Sequence, residues 1–130
     1  MDPSIWGPTA WKLLYASCFK LPPNKVVALL DAYRFLLPCV HCRKSFCMYL
    51  DAIPPALGID DTQVSASKYC WMIKDKVNMK IGGCKTLPFS KMCTKHTAFS
   101  QPFSRMDVVD FLCCVAMQVD EDDQIAAYES

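Results

Sequence analysis

The sequence predicts an all-α protein, a bundle of short helices. Three observations predict it. Apolar residues recur at helical spacing in about five stretches. Tight punctuation separates those stretches: Pro22-Pro23, Pro54-Pro55 and Gly82-Gly83. No stretch reads as a strand, and short helices with tight connections pack as a bundle.

The first helix is predicted over residues 9 to about 20, with Ala10, Leu13, Leu14, Ser17 and Cys18 on one face. Pro22-Pro23 ends it. Asn24 is the expected N-cap of a second helix that carries Val27, Leu30 and Leu37. After Pro38, a third helix runs from Cys39-Val40-His41-Cys42 to about residue 52, with Phe46, Tyr49, Leu50 and Ile53 on one face. Pro54-Pro55 and Gly58 mark a loop. A fourth helix starts between residues 61 and 65 and runs to residue 81, where Gly82-Gly83 stops it. Residues 84 to 103 read as irregular, with at most one short turn. Ser104 and Asp107 resemble a capping box for a last helix carrying Met106, Val109, Leu112, Cys113 and Ala116. Residues 120 to 130 read as an acidic, frayed tail.

The chain has 130 residues, enough for one domain with a real core, and its 52% apolar content argues against disorder. A net charge of +1 gives no electrostatic reason to expect nucleic acid or anionic lipid as a partner. No apolar run approaches the ~18 residues of a membrane span. Met1-Asp2-Pro3-Ser4 lacks the basic and apolar regions of a signal peptide. The expectation is therefore an intracellular protein with no membrane and no nucleic-acid partner. The nine cysteines are an odd number, so at least one is unpaired or bonds another chain. Without a signal peptide they favour redox chemistry or metal over a secreted scaffold.

Cys39-x-x-Cys42 sits where a helix should begin. Unpaired amides and the positive dipole end lower a cysteine pKa there, and the thiolate is the reactive form. The pair reads first as a redox dithiol. A thioredoxin fold would surround it with alternating strands and helices; without strands, this dithiol needs another electron partner.

Trp6-Gly7-Pro8-Thr9-Ala10-Trp11 opens the chain, with Trp11 and Tyr15 one turn apart on a helix face. Gly7 allows close backbone approach. About thirty residues later comes Leu37-Pro38-Cys39-Val40-His41-Cys42-Arg43, and then Lys74-Asp75-Lys76-Val77-Asn78 with Lys80, Ile81 and Gly82. In order and spacing these three motifs resemble the ALR/Erv family of FAD-linked sulfhydryl oxidases. The resemblance covers roughly residues 5 to 85, and the small size is similar to the single-domain forms of large cytoplasmic DNA viruses. Four positions depart from the family pattern. Tyr15 replaces the first-helix histidine, Lys74-Asp75 replaces the fourth-helix His-Asn pair, and Tyr69 stands at a usual tryptophan position with Trp71 displaced by two.

The resemblance implies a four-helix bundle holding FAD over residues 1–85, with residues 86–130 as a C-terminal extension of the same domain carrying one further helix. It implies that Cys39 exchanges with a substrate dithiol through a mixed disulfide and that Cys42, lying deeper, faces the flavin. Two electrons then pass to FAD and on to oxygen, giving hydrogen peroxide. The candidate cofactor-binding residues are Gly7, Trp11, Tyr15, Lys74, Asn78 and Lys80. Lys85, Trp71 and one of Phe89, Phe99 and Phe103 are weaker candidates. His41 and Arg43 either stabilise a thiolate or face solvent. Implied partners are a protein dithiol substrate or thioredoxin-like relay, molecular oxygen and a second copy in a homodimer; a viral chain would sit in the host cytoplasm or the virion.

Family members often tie the fourth helix to the following segment with a disulfide, which here implies Cys70 with Cys84; Cys93 is an alternative shuttle thiol. Cys18 and Cys47 fit core faces. Cys113 and Cys114 are about 100° apart around a helix, so one should face inward and one outward. The rival reading is a zinc-binding helical interaction module using Cys39, Cys42, Cys93 and His96.

Overall fold

The structure, a computed structural model, describes residues 2–82, 85–98 and 109–118. The described residues form seven helices and no strand: α1 Pro3–Lys20, α2 Pro23–Leu36, α3 Val40–Ala52, α4 Pro55–Gly58, α5 Gln63–Ile81, α6 Phe89–Ala98 and α7 over 109–118. The all-α expectation holds.

Four boundaries differ from the sequence reading. Helix α1 starts six residues early, because the Ser4 amide donates to the Asp2 carboxylate at 2.9 Å and Pro3 occupies the first turn, where its missing N–H costs nothing. The Trp6–Trp11 motif therefore lies inside α1. Asn24 is not a cap. Helix α2 starts at Pro23, with Pro22 ahead of it and no side-chain cap. Pro54-Pro55 begins a one-turn helix rather than an open loop. The stretch read as irregular contains α6. Helix α5 agrees with its expected start and stop: Thr62 caps it by accepting from Ser65 N–H, and Gly82 ends it at φ 75°, a backbone angle that favours glycine. The Ser104–Asp107 capping box and residues 120–130 lie outside the described residues.

Helix α5 is the hub. It packs on α1, α2, α3, α4 and α6, and its closest partner is α1. Leu14, Val26, Leu30, Leu50 and Ile73 are fully enclosed between these helices. Two buried tyrosines clamp the bundle. The Tyr33 hydroxyl donates to the Ala10 carbonyl at 2.8 Å, fixing α2 on α1, and Phe111 of α7 packs 5.8 Å from the Tyr33 ring. The Tyr69 hydroxyl donates to the Ile53 carbonyl, fixing α5 to the end of α3. Cys113 is exposed and Cys114 packs against the core, as the 100° offset requires. No described helix is long and apolar enough to cross a membrane.

Gly58 lies under Tyr69. A Cβ at this glycine would stand 2.7 Å from the Tyr69 ring and 3.1 Å from Ile53. The ring is buried and held by its hydroxyl, so it has little room to move. Gly58→Ala is expected to cost about 2 kcal/mol through overpacking, measured by urea unfolding. An unchanged midpoint would show that the ring moves freely.

Candidate active site

The chain leaves α2 through buried Leu37 and Pro38 and enters α3 at Cys39. Proline cannot continue α2, so the backbone extends and Cys39 becomes the N-cap of α3, with φ −163° and ψ 120°. Its sulfur then does what a serine or aspartate usually does at a cap: it accepts the Cys42 N–H at 3.2 Å. One turn of helix thus holds the two sulfurs together. The Arg43 guanidinium donates to the Leu37 carbonyl at 3.0 Å and braces the turn, while His41 is exposed.

Burial, followed by the hydrogen bond and charge of Cys39, pushes the Cys42 thiol from its ordinary 9.0 up to about 12, against a smaller downward pull from Lys80. At Cys42 desolvation outweighs the helix-dipole effect expected from sequence, because the side chain packs, partly buried, against the core. Lys80 reaches this site from the end of α5, where its ammonium donates to the Ser45 hydroxyl of α3. A lysine considered for cofactor binding therefore stands beside the dithiol.

A second group lies between α1 and α5. Trp11 is half-buried, 5.9 Å from the buried Tyr15 ring, and the Lys74 ammonium sits 4.8 Å over the Trp11 ring. That is a cation–π distance. Asn78, on the same face of α5, is buried. Its amide donates to the Thr86 hydroxyl at 2.9 Å, and Thr86 donates in turn to the Asp75 carboxylate at 2.7 Å. The indole N–H of Trp71 donates to the Leu87 carbonyl at 2.7 Å, and Phe89 meets the Trp71 ring edge-on. The segment 85–88 is thereby strapped along α5. Lys85 is exposed. A Cβ at Gly7 would meet nothing within 4 Å, so open space borders it.

Six of the eight candidate residues thus fall into two groups joined by α5: Cys39, Cys42 and Lys80 at its α3 side, and Trp11, Tyr15 and Lys74 at its α1 side. Asn78 lies on α5 under the strap, and Gly7 one turn up from Trp11 on α1. Sequence reasoning missed Ser45, Asp75 and Thr86 as polar partners. Only their pairing across elements marks them, and no local motif does. Phe99, Phe103, Cys84 and the His96 side chain lie outside the described residues. Among the described residues no three His, Cys, Asp or Glu side chains gather as a metal site.

No model of a known protein family matches the chain, and no solved structure matches it significantly. A curated viral protein does. It is the "Putative FAD-linked sulfhydryl oxidase 347L" of Invertebrate iridescent virus 6, 30% identical over 95 residues, spanning 63% of this chain and 84% of that protein. That span is long enough to carry the family with it, and it agrees with the all-α bundle and the motif order. The chain belongs to the ALR/Erv family of FAD-linked sulfhydryl oxidases.

Proposed function

We propose that the chain is a FAD-dependent thiol oxidase that forms disulfides in protein substrates, with Cys39 and Cys42 as the redox pair. The observation that carries this reading is the capping contact between them. A sulfur that caps its own helix is held one turn from its partner, and here it is only partly buried and so open to exchange.

The residues present fit the cofactor. Trp11 and Tyr15 offer aromatic faces, Asn78 an amide, and Lys74 a cation that suits a diphosphate, while Lys80 stands beside the dithiol. Bound FAD would accept two electrons from the dithiol and pass them to oxygen, giving hydrogen peroxide. The protein's own steps are thiol–disulfide exchange. A substrate thiolate attacks Cys39 of the oxidised pair, the Cys39–Cys42 bond breaks, and Cys42 leaves as a thiolate that takes up a proton. The second substrate thiolate then attacks the mixed disulfide and releases Cys39. Burial makes the Cys42 thiolate costly, and Lys80 offsets part of that cost.

The substrate side is a protein dithiol or a thioredoxin-like relay, and the enzyme acts as a homodimer. An open groove of about 480 Å³ supports a polypeptide partner. Phe35, Val40, Cys47 and Met48 line it with Arg34, Arg43 and Lys44, and it begins at Val40, within the redox motif. A viral chain of this kind would work in the host cytoplasm or the virion.

The test is an ultraviolet-visible spectrum before and after anaerobic dithiothreitol. A flavin band that bleaches, then returns with oxygen uptake, is expected. A colourless, folded protein with stoichiometric zinc would overturn the reading in favour of the Cys39, Cys42, Cys93 and His96 zinc module. Lys80→Gln is expected to lower turnover about three- to tenfold at neutral pH and to move the alkaline rise in activity to higher pH. A pH–rate profile superimposable on the wild type would show that Lys80 does not act on Cys42.

A further inference from the structure

Two cysteines outside the redox motif face each other in the core. Cys18 of α1 and Cys70 of α5 are both fully enclosed, at 0% exposure, and they sit on the most closely packed helix pair of the bundle. The helix register explains the meeting. Lys74 lies over Trp11; seven residues further along α1 comes Cys18, and four residues back along α5 comes Cys70. The helices run antiparallel, so both pairs fall on one seam. The Cys18 thiol donates to its own helix, to the Tyr15 carbonyl at 3.1 Å, and the Cys70 thiol lies against the Cys18 sulfur. A lone buried cysteine is an ordinary small apolar side chain. Two in contact across a helix interface have a bond available to them.

We propose that Cys18 and Cys70 form a second oxidisable pair, a buried disulfide site that staples α1 to α5. The oxidant is a small-molecule disulfide. One cysteine thiolate attacks it, a mixed disulfide forms and one thiol departs. The second cysteine then attacks the mixed disulfide, the Cys18–Cys70 bond closes and a second thiol departs. Two electrons pass from the pair to the oxidant, and the two cysteine protons end on the departing thiols. Enclosure sets the timing: exchange takes place while α1 and α5 are still docking. In the folded protein the neighbouring Cys18 thiol and burial hold Cys70 well above the usual thiol range, so the native pair reacts slowly. The staple joins the two helices that carry Trp11 and Lys74, and so it would hold the proposed cofactor wall together.

The test uses the full chain, synthesised with FAD in either a reducing translation extract or one buffered with oxidised glutathione. Free thiols are blocked with N-ethylmaleimide, and the protein is digested with trypsin without reduction. Cleavage at Lys12, Lys20, Lys68 and Lys74 places Cys18 on residues 13–20 and Cys70 on residues 69–74, each the sole cysteine of its peptide. Expected from the oxidising extract is a linked 13–20/69–74 species, two hydrogens lighter than the two peptides together. The melting temperature of the intact protein from the oxidising extract should be about 10 °C above that of the reduced protein, a gain that Cys18→Val abolishes. If Cys18→Val does not fold, the wild-type peptide map still decides. Both peptides recovered fully blocked, or Cys70 linked to Cys84 or Cys93, would overturn the proposal. Peptide 35–43 carries both Cys39 and Cys42 and reports the redox motif in the same digest, so the staple and the oxidase reading can fail separately.

Discussion

Cys42→Ser is expected to lower thiol-oxidase turnover at least about 1,000-fold while FAD stays bound and helix content is unchanged. The reason is geometric. Cys39 alone still meets substrate, but no second sulfur is held one turn away to close the disulfide. Cys39→Ser should be equally inactive for the complementary reason, since a serine hydroxyl can still cap α3 but cannot exchange with a disulfide. Substantial turnover in either variant would remove the pair from the mechanism. The same substitution carries a pH consequence. The folded protein raises the Cys42 thiol from 9.0 to about 12, so both states are protonated below pH ~9 and the effect on stability is nil there. Above it the unfolded chain loses this proton first. The reduced protein therefore loses stability as pH rises from about 9 to about 12, and Cys42→Ser should make that decline shallower. Urea midpoints of the reduced wild type and variant across that range check the sign. Equal slopes would mean that Cys42 titrates as an ordinary exposed thiol.

Leu14→Ala is expected to destabilise the protein by about 3 kcal/mol and lower its melting temperature by about 10 °C. Leu14 is fully enclosed on the buried face of α1, one turn from Ala10 and from Cys18, so truncation leaves a cavity at the α1–α5 seam. Little can collapse into that cavity, because Tyr33 ties α2 to the Ala10 carbonyl on the same face. Function should feel the change too. A looser α1 separates Trp11 from Lys74, and FAD should be lost at lower urea than in the wild type. Flavin fluorescence followed beside circular dichroism through a urea titration tests both parts. A midpoint within about 0.5 kcal/mol of the wild type would show that the seam repacks.

Much of the candidate site was legible because its chemistry is local. A CxxC after a proline at a helix start places two sulfurs one turn apart whatever surrounds them, and α3 begins there as the sequence predicts. Thr62 and Gly82 likewise bound α5 through contacts with immediate neighbours. Trp11 and Tyr15 meet because residues four apart share a helix face. Two of the misread boundaries share one cause. Pro22-Pro23 and Pro54-Pro55 read as stops, yet each pair also supplies a first-turn residue that needs no N–H, so the same dipeptide separates one helix from the next and starts the second.

The sequence by itself determined the all-α class, the Cys39-x-x-Cys42 motif, its place at the start of α3 and the resemblance that the viral relative bears out. These rest on contacts between residues a few positions apart, which chain periodicity and capping dictate. Only the tertiary structure decided that Lys80 stands beside Cys42, that Thr86 joins Asn78 to Asp75, and that Cys70 lies against Cys18 in the core. Each pairing depends on how helices dock or on where the segment after α5 turns back. Docking follows from packing the whole apolar surface at once, and no local spacing encodes which distant side chains that packing brings together.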